Sequence, residues 1–316
     1  MPTDERVATR QPPIPVIDLG ACARGETPAC TALGEALEQH GFFYLRHHGV
    51  PVEVLQGVFA AARTFFALPP AAKEAVRWQS AATNRGYGGL TSQALDTTRL
   101  WDLKEIFQAG PEHPDAPPNR WPPELPALRA AVLAFYDAAR AAGDRLLAAM
   151  ARALGLPAAY FAPHFARPLS TVRLLHYPPL AGAPPPGQLR AGAHTDFGAL
   201  TLLFNDAAGG LEIQLADGTW LPVPPRPEAA IVNTGDLLER WTNGRFRSSP
   251  HRVAVPSGPA AARARYSVVL FHSPSADTVV APLPTCQSAT RPPRYPPVRA
   301  GDHLLARLKA THRAAY

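Results

Sequence analysis

The spacing of apolar residues changes period near residue 170. Before that point it is helical. Leu33, Ala36 and Leu37 recur three and four apart, which predicts a helix capped by Thr27 and ended by Gly41. Val52 to Leu68 predicts a second helix, stopped by Pro69 and Pro70. Leu128, Val132, Phe135, Ala139, Leu146 and Met150 mark one face of a long helix from Leu128 to Leu154. Short strands are expected at Ile14 to Leu19, Gly41 to Leu45 and Asp102 to Gln108. Residues 1–12 form a mobile arm in this reading, Ala82 to Thr98 an irregular loop, and the Pro-rich stretch 111–126 a connector. After Ser170 the apolar runs are short and separated by Gly, Pro, Asn and Asp. They predict strands at Thr171 to Tyr177, Leu200 to Phe204, Leu211 to Leu215, Trp220 to Val223, Ala230 to Val232, His251 to Val255 and Tyr266 to Phe271. So many closely spaced strands indicate a sandwich or jelly roll. A Pro-rich tail follows Pro282, then a final helix from Asp302 to His312. Its Leu304, Leu305 and Leu308 are expected to pack on the barrel, a lid being the functional alternative.

Composition adds bounds rather than chemistry. A length of 316 residues with 46% apolar content is ample for one packed core. The expected organisation is a single domain over 1–316, with a helix-rich supporting region at 1–165, a jelly-roll core at 170–281 and the Pro-rich tail and last helix at 282–316. The net charge of +6 comes from residues scattered along the chain, all arginine except Lys73, Lys104 and Lys309. No basic stripe is interleaved with stacking aromatics, so nucleic-acid binding is not expected. Cys22, Cys30 and Cys286 form no framework or metal-binding pair. Residues 1–13 are polar, and no apolar run reaches membrane-spanning length. A cytoplasmic monomer with no membrane partner is the expectation.

Candidate chemistry begins in the stretch Gly192 to Leu203. If it is a strand, His194 and Asp196 project to one face and converge. An H-x-D pair alone more often marks a solvated face. A third ligand is available at His251, where Pro250 opens another apolar run. Two imidazoles and one carboxylate leave half of a metal's coordination sphere open, the arrangement associated with oxygen-activating non-haem Fe(II). Arg265 and Ser267 share a strand face further on and offer a guanidinium and a hydroxyl suited to a carboxylate. Other polar groups have plainer explanations. His47 and His48 fit a turn before Pro51, Asp236 fits a turn in Asn233-Thr-Gly-Asp, and Gly209-Gly210 fits a bend. Trp220 and Trp241 are expected in core or rim.

His-x-Asp, a distant His, then Arg-x-Ser resembles the iron and 2-oxoglutarate-dependent oxygenases of the isopenicillin N synthase-like family. Similar segments include Ile14-Pro-Val-Ile-Asp-Leu19, His40-Gly-Phe-Phe-Tyr-Leu45, Asp102-Leu-Lys-Glu-Ile106 and Asn233-Thr-Gly-Asp236, so the resemblance spans nearly the whole chain. It implies an α+β fold with a mainly β core: a double-stranded β-helix, or jelly roll, flanked by N-terminal helices and a C-terminal helix. It also implies Fe(II) on His194, Asp196 and His251. Arg265 and Ser267, joined by Tyr177, are then expected to hold 2-oxoglutarate. The implied reaction uses O2 to oxidise a C–H bond of a small molecule by hydroxylation, desaturation or cyclisation, releasing succinate and CO2. No further catalytic group is expected beyond the metal site. Arg173 lies on the same strand face as Tyr177 and is a candidate for the substrate, the alternative being a structural ion pair. Arg85 and Phe107 are substrate candidates from their loop and strand near the family's iron mouth. The shared Arg-x-Ser motif leaves open an oxidase resembling isopenicillin N synthase or aminocyclopropane carboxylate oxidase, and an enzyme resembling the ethylene-forming enzyme. A metal-binding barrel without turnover is the non-enzymatic alternative.

Overall fold

Side chains on a strand alternate between its two faces, and two sheets here use the alternation to separate the space between them from a helix-backed core. A computed structural model describes residues 14–90, 92–96, 101–180, 182, 184–256 and 258–311. The arm expected at 1–12, Thr91, Thr97 and Thr98 of the expected loop, and His312 at the end of the last helix lie outside the described residues. The strands are β1 (Val16–Asp18), β2 (Phe42–Arg46), β3 (Gly86–Gly88), β4 (Glu105–Ala109), β5 (Thr171–Tyr177) and β6 (Ala191–His194). They continue with β7 (Leu200–Asn205), β8 (Leu211–Gln214), β9 (Trp220–Pro222), β10 (Ala230–Thr234), β11 (His251–Val253) and β12 (Arg265–His272), and two short strands, β13 (Val279–Val280) and β14 (Val298–Arg299), pair only with each other. Eight of them form the major sheet in the order β1-β2-β10-β7-β12-β5-β4-β3, and β6-β11-β8-β9 form a four-stranded minor sheet. Neighbours are antiparallel except β1 and β2. Four strands from the first 165 residues extend the major sheet, so the helix-rich supporting region also supplies strands to the core.

The helices are α1 (Leu19–Ala23), α2 (Thr27–Gln39), α3 (Val52–Phe66), α4 (Pro70–Ala75), α5 (Pro126–Ala153), α6 (Asp236–Trp241) and α7 (Ala300–Thr311). Helices α3 and α5 pack on each other and on the outer face of β12 and β5. Val268 and Leu270 of β12 and Val172 and Leu174 of β5 meet them in the larger apolar cluster. The alternate residues Val269, Leu175 and Tyr177 face the minor sheet, where Ile213 and Val253 complete a second cluster.

Several local expectations shift. Thr27 is the first helical residue rather than the cap; Glu26 takes the cap position without a side-chain bond, and Pro28 supplies the preset φ at the start of α2. Pro70 does not merely stop α3 but opens α4. Gly41 ends α2 as expected: its φ is +64°, and a Cβ there would collide with the Arg247 carbonyl oxygen. The segment Asn233 to Asp236 is not a free turn. Asn233 and Thr234 close β10, and Asp236 begins α6.

Phe107 is corrected by the same alternation. In β4 it points to the helix side, fully buried, with ring centroids 4.6 Å from Phe65 and 5.7 Å from Trp121. Its neighbour Gln108 takes the interior face instead. Phe107→Ala should therefore destabilise the protein by about 3–5 kcal/mol in urea unfolding, whereas Phe107→Leu recovers much of that loss. A Phe107→Ala protein as stable as its parent would contradict this packing.

Candidate functional site

Antiparallel pairing of β6 and β11 sets His194 directly opposite His251, with ring centroids 4.3 Å apart. Each imidazole has its orientation fixed by a backbone carbonyl two residues earlier. His194 Nδ1 lies 2.8 Å from the Gly192 oxygen, and His251 Nδ1 lies 3.3 Å from the Ser249 oxygen. A carbonyl only accepts, so both Nδ1 atoms carry the proton and both Nε2 atoms present a lone pair.

Asp196 arrives differently from expectation. β6 ends at His194, and Asp196 stands in the loop where the chain passes from the minor sheet to β7 of the major sheet. Convergence with His194 therefore depends on that loop rather than on strand alternation. Two clamps fix it. The Asp196 carbonyl accepts the Asp236 amide at 2.8 Å, an approach that Gly235 permits because a side chain there would strike the Gly198 and Asp196 carbonyls. Its carboxylate Oδ2 accepts from Asn233 Nδ2 at 2.6 Å and from the Thr201 hydroxyl. Asn233 and Thr201 are cross-strand partners in the major sheet. Oδ1 is left 3.9 Å from His194 Nε2 and 3.8 Å from His251 Nε2.

These three side chains are the one candidate metal cluster found among the described residues, with ligand atoms within 4.8 Å of one another. Burial holds the His194 imidazole well below its ordinary value, and His251 adds to the effect. Burial alone would raise the Asp196 carboxyl, but the two imidazoles, Asn233 and Thr201 outweigh it and hold the group below its usual range. Two neutral nitrogen donors and one anionic oxygen donor on a single side suit a divalent metal with open positions opposite. His47 and His48 stay apart from this cluster: His47, at φ +52°, meets Asp18 at 2.8 Å, and His48 Nδ1 accepts the Val50 amide. Asp236 faces Ser248, His303 and Arg307 instead.

A narrow inner cavity runs from the cluster to Arg265, Ser267 and Tyr177. The Arg265 fork is partly used: Nε donates to the Gly209 carbonyl at 2.8 Å and Nη2 to Asn205 Oδ1 at 3.0 Å. Its Nη1 is buried and has no partner. The Ser267 hydroxyl donates to the same Asn205 oxygen at 2.9 Å, and the guanidinium sits 4.7 Å over the Tyr177 ring. An unpartnered buried N–H beside a hydroxyl able to turn fits an acceptor-only group such as a carboxylate. Lys104 also lines this cavity. Its ammonium donates to Asp102 Oδ2 at 2.8 Å, while Asp102 Oδ1 accepts the Gly192 amide at 2.8 Å, tying β6 to the approach of β4.

An outer cavity of about 560 Å³ opens beyond the cluster and is lined by Arg85, Gln93, Gln108, Arg173, Phe271 and the α7 leucines, among others. α7 thus both packs, through buried Leu308 and Thr311, and forms a cavity wall. Arg85 reaches this cavity while donating to the Thr83 and Asn84 carbonyls. Phe107 does not line it. Trp241 is core, and Trp220 lies under Arg252. Sequence reasoning missed Asn205, Thr201, Gln93, Gln108 and the clamping role of Asn233. It also missed Asp102 and Lys104, whose spacing in the expected strand Asp102 to Gln108 was an available signal, although β4 itself begins only at Glu105.

Residues 14–124 match a family described as non-haem dioxygenase in morphine synthesis, N-terminal, and residues 168–274 match the 2OG-Fe(II) oxygenase superfamily. The chain is 36% identical over 294 residues to the 2-oxoglutarate-Fe(II) type oxidoreductase hxnY of Emericella nidulans, covering 88% of this chain and 83% of that one. It is 35% identical over 290 residues to the validamycin A dioxygenase of Streptomyces hygroscopicus subsp. limoneus, covering 85% and 79% respectively. Among solved structures, a full-length Neurospora crassa protein in complex with alpha-KG and thymine superposes with a TM-score of 0.87 at 30% identity, over 94% of this chain and 96% of that one.

The Asp102–Lys104 pair yields a stability test, because both side chains are only 2% exposed. Asp102→Ala leaves a buried ammonium without its counter-charge, and denaturant unfolding should register a loss of about 3–5 kcal/mol. Adding Lys104→Met should restore part of it, the remainder reflecting the Gly192 amide left without its acceptor. An unchanged midpoint in the single variant would contradict the buried pair.

Proposed function

The chain belongs to the 2OG-Fe(II) oxygenase superfamily, in its isopenicillin N synthase-like branch, and we propose how its residues divide the work of that chemistry. The protein is a non-haem Fe(II)- and 2-oxoglutarate-dependent dioxygenase acting on a small molecule. In this reading His194 Nε2, His251 Nε2 and Asp196 Oδ1 hold the iron. The observation that carries the assignment is the pair of Nδ1–carbonyl contacts, which leave both Nε2 lone pairs free, 3.9 and 3.8 Å from the free carboxylate oxygen. With 2-oxoglutarate and O2, bound iron supplies the oxidising power that removes hydrogen from a substrate C–H bond, as the oxo acid leaves as succinate and CO2.

The remaining work falls to side chains. Asn233 and Thr201 occupy Asp196 Oδ2, so the carboxylate offers one oxygen and leaves room for other ligands. Arg265 Nη1 and the Ser267 hydroxyl receive the distal carboxylate of 2-oxoglutarate, with Tyr177 forming the wall beside them. Nε and Nη2 are already committed to Gly209 and Asn205, so the guanidinium is held in place before the cosubstrate enters. The grip is thus one guanidinium nitrogen and one hydroxyl, the two kinds of group expected from the Arg-x-Ser spacing. Arg173 and Arg85, in the outer cavity, face the substrate. The oxidation could end in hydroxylation, desaturation or ring closure, according to where the target carbon lies. We place the protein in the cytoplasm, since its three cysteines are free and are not spaced as a disulfide framework.

Two measurements test this division. Arg265→Leu should weaken 2-oxoglutarate binding about tenfold to a hundredfold, the loss of a charge-assisted contact, in anaerobic titration of the Fe(II) protein followed by its visible charge-transfer band. An unchanged dissociation constant would remove Arg265 from the cosubstrate site. Asn233→Ala should lower Mn(II) affinity about 10- to 100-fold, read from the free-Mn(II) electron paramagnetic resonance signal, while Asp236→Ala leaves it near the parent value. Equal losses in the two variants would show a general disturbance rather than a ligand clamp.

A further inference from the structure

Arg173 is a buried cation with no ion-pair partner among the described residues. It projects from β5 between the inner and outer cavities and is 7% exposed. Its Nε donates to Gln108 Oε1 at 2.6 Å, and its Nη1 reaches Gln93 Oε1 at 3.5 Å. Both partners are neutral. Among the described residues no carboxylate lies within ion-pair distance, and the structural ion pair weighed from sequence is absent there. Burial pulls the guanidinium down to about 10, with Asp196, Tyr177 and Asp102 only partly opposing it. Leaving such a group in the interior is costly unless something fills the place of its counter-ion.

The surroundings indicate what that would be. Gln93 is 2% exposed, lines the same cavity, and its Nε2 has no hydrogen-bond partner. Gln108 Nε2 is spent on Thr171, so its amide is fixed with the oxygen toward Arg173. The polar inner end of the cavity therefore offers donors: Gln93 Nε2 and the Nη2 edge of Arg173, for which no protein acceptor is found among the described residues. Arg85, 5% exposed, adds a second guanidinium to the wall. The acids lining the cavity, apart from Asp196, are Asp115 and Asp277. Asp115 is exposed, and Asp277 lies at the mouth, 3.8 Å from Arg167 with 69% of its side chain exposed. Phe271 lies under the Arg173 guanidinium at 5.1 Å, and Leu304, Leu305 and Leu308 give the outer part an apolar lining.

We propose that the substrate is a small carboxylic acid with an apolar body, its carboxylate seated on Arg173 Nη2 and Gln93 Nε2 and its body against Phe271 and α7. The proposal rests on the enzyme reading above and deepens it. It also gives the reaction a direction: Arg173 borders the iron site, so a carbon near the carboxyl end is the one presented for oxidation.

Matched acid and amide probes test it in the Mn(II)-loaded protein with N-oxalylglycine filling the cosubstrate site, by isothermal titration. The pairs are phenylacetate with phenylacetamide and cyclohexanecarboxylate with cyclohexanecarboxamide. At least one acid should bind about tenfold or more tightly than its own amide, the value of replacing a neutral by a charge-assisted contact. Arg173→Gln should erase that ratio while N-oxalylglycine binds as in the parent, and Arg173→Lys should keep part of it. Amides binding as well as acids, or no acid binding at all, overturns the proposal without needing any variant to fold. Loss of N-oxalylglycine binding in Arg173→Gln also overturns it, by moving Arg173 into the cosubstrate site. Failure of the parent to bind N-oxalylglycine would instead count against the cosubstrate assignment, and the acid–amide ratio would still be read.

Discussion

Everything at the candidate centre depends on how one buried carboxylate is held. Asp196 is 6% exposed, and an ionised carboxylate so placed costs several kcal/mol unless its oxygens are satisfied. Asn233 and Thr201 satisfy one oxygen from two adjacent strands of the major sheet, and the second is left for the imidazoles of the minor sheet. The centre therefore lies where the chain crosses between sheets. Neither sheet alone contains it, which couples the geometry of the site to the closure of the barrel.

The same alternation that builds the core sorts the polar groups. On β12, Arg265, Ser267, Val269 and Phe271 line the inner cavity, while Val268 and Leu270 meet the helices. On β5, Arg173, Leu175 and Tyr177 do the same opposite Val172 and Leu174. Cations thus face the interior from β12, from β5 and from the segment that leads into β4, and each is fixed by neutral acceptors or, for Lys104, by Asp102. Guanidinium groups already held by amide and carbonyl oxygens lose little freedom when an anion arrives, so the interior is arranged for acids before any is present.

Much of this is legible in the sequence because it is local. His-x-Asp and Arg-x-Ser are short spacings, and the strands from Thr171 to Phe271 announce themselves by alternation between turn residues. The seven-residue strand Thr171–Tyr177 has the bounds expected of it for that reason. What escapes depends on register between distant strands. Asn233 meets Asp196 only because β10 pairs with β7, and Asn205 meets Ser267 only because β7 pairs with β12. Phe107 falls on the opposite face from the expected one because resemblance locates a segment near a site but does not fix its parity; Gln108, one residue on, is the group that faces the cavity. Asp196 reaches its expected partner by an unexpected route, through a loop held by the Asp236 amide rather than along a strand.

The central claim is that His194, Asp196 and His251 bind one metal on one side, with Asp196 giving a single oxygen. An anaerobic crystal structure with iron and N-oxalylglycine, with data collected at the iron absorption edge, measures this directly. The geometry predicts one anomalous peak at bonding distance from His194 Nε2, His251 Nε2 and Asp196 Oδ1, with Oδ2 still on Asn233 and the inhibitor's far carboxylate against Arg265 and Ser267. A metal held through both Asp196 oxygens, by a fourth protein side chain, or at another place in the barrel would contradict it.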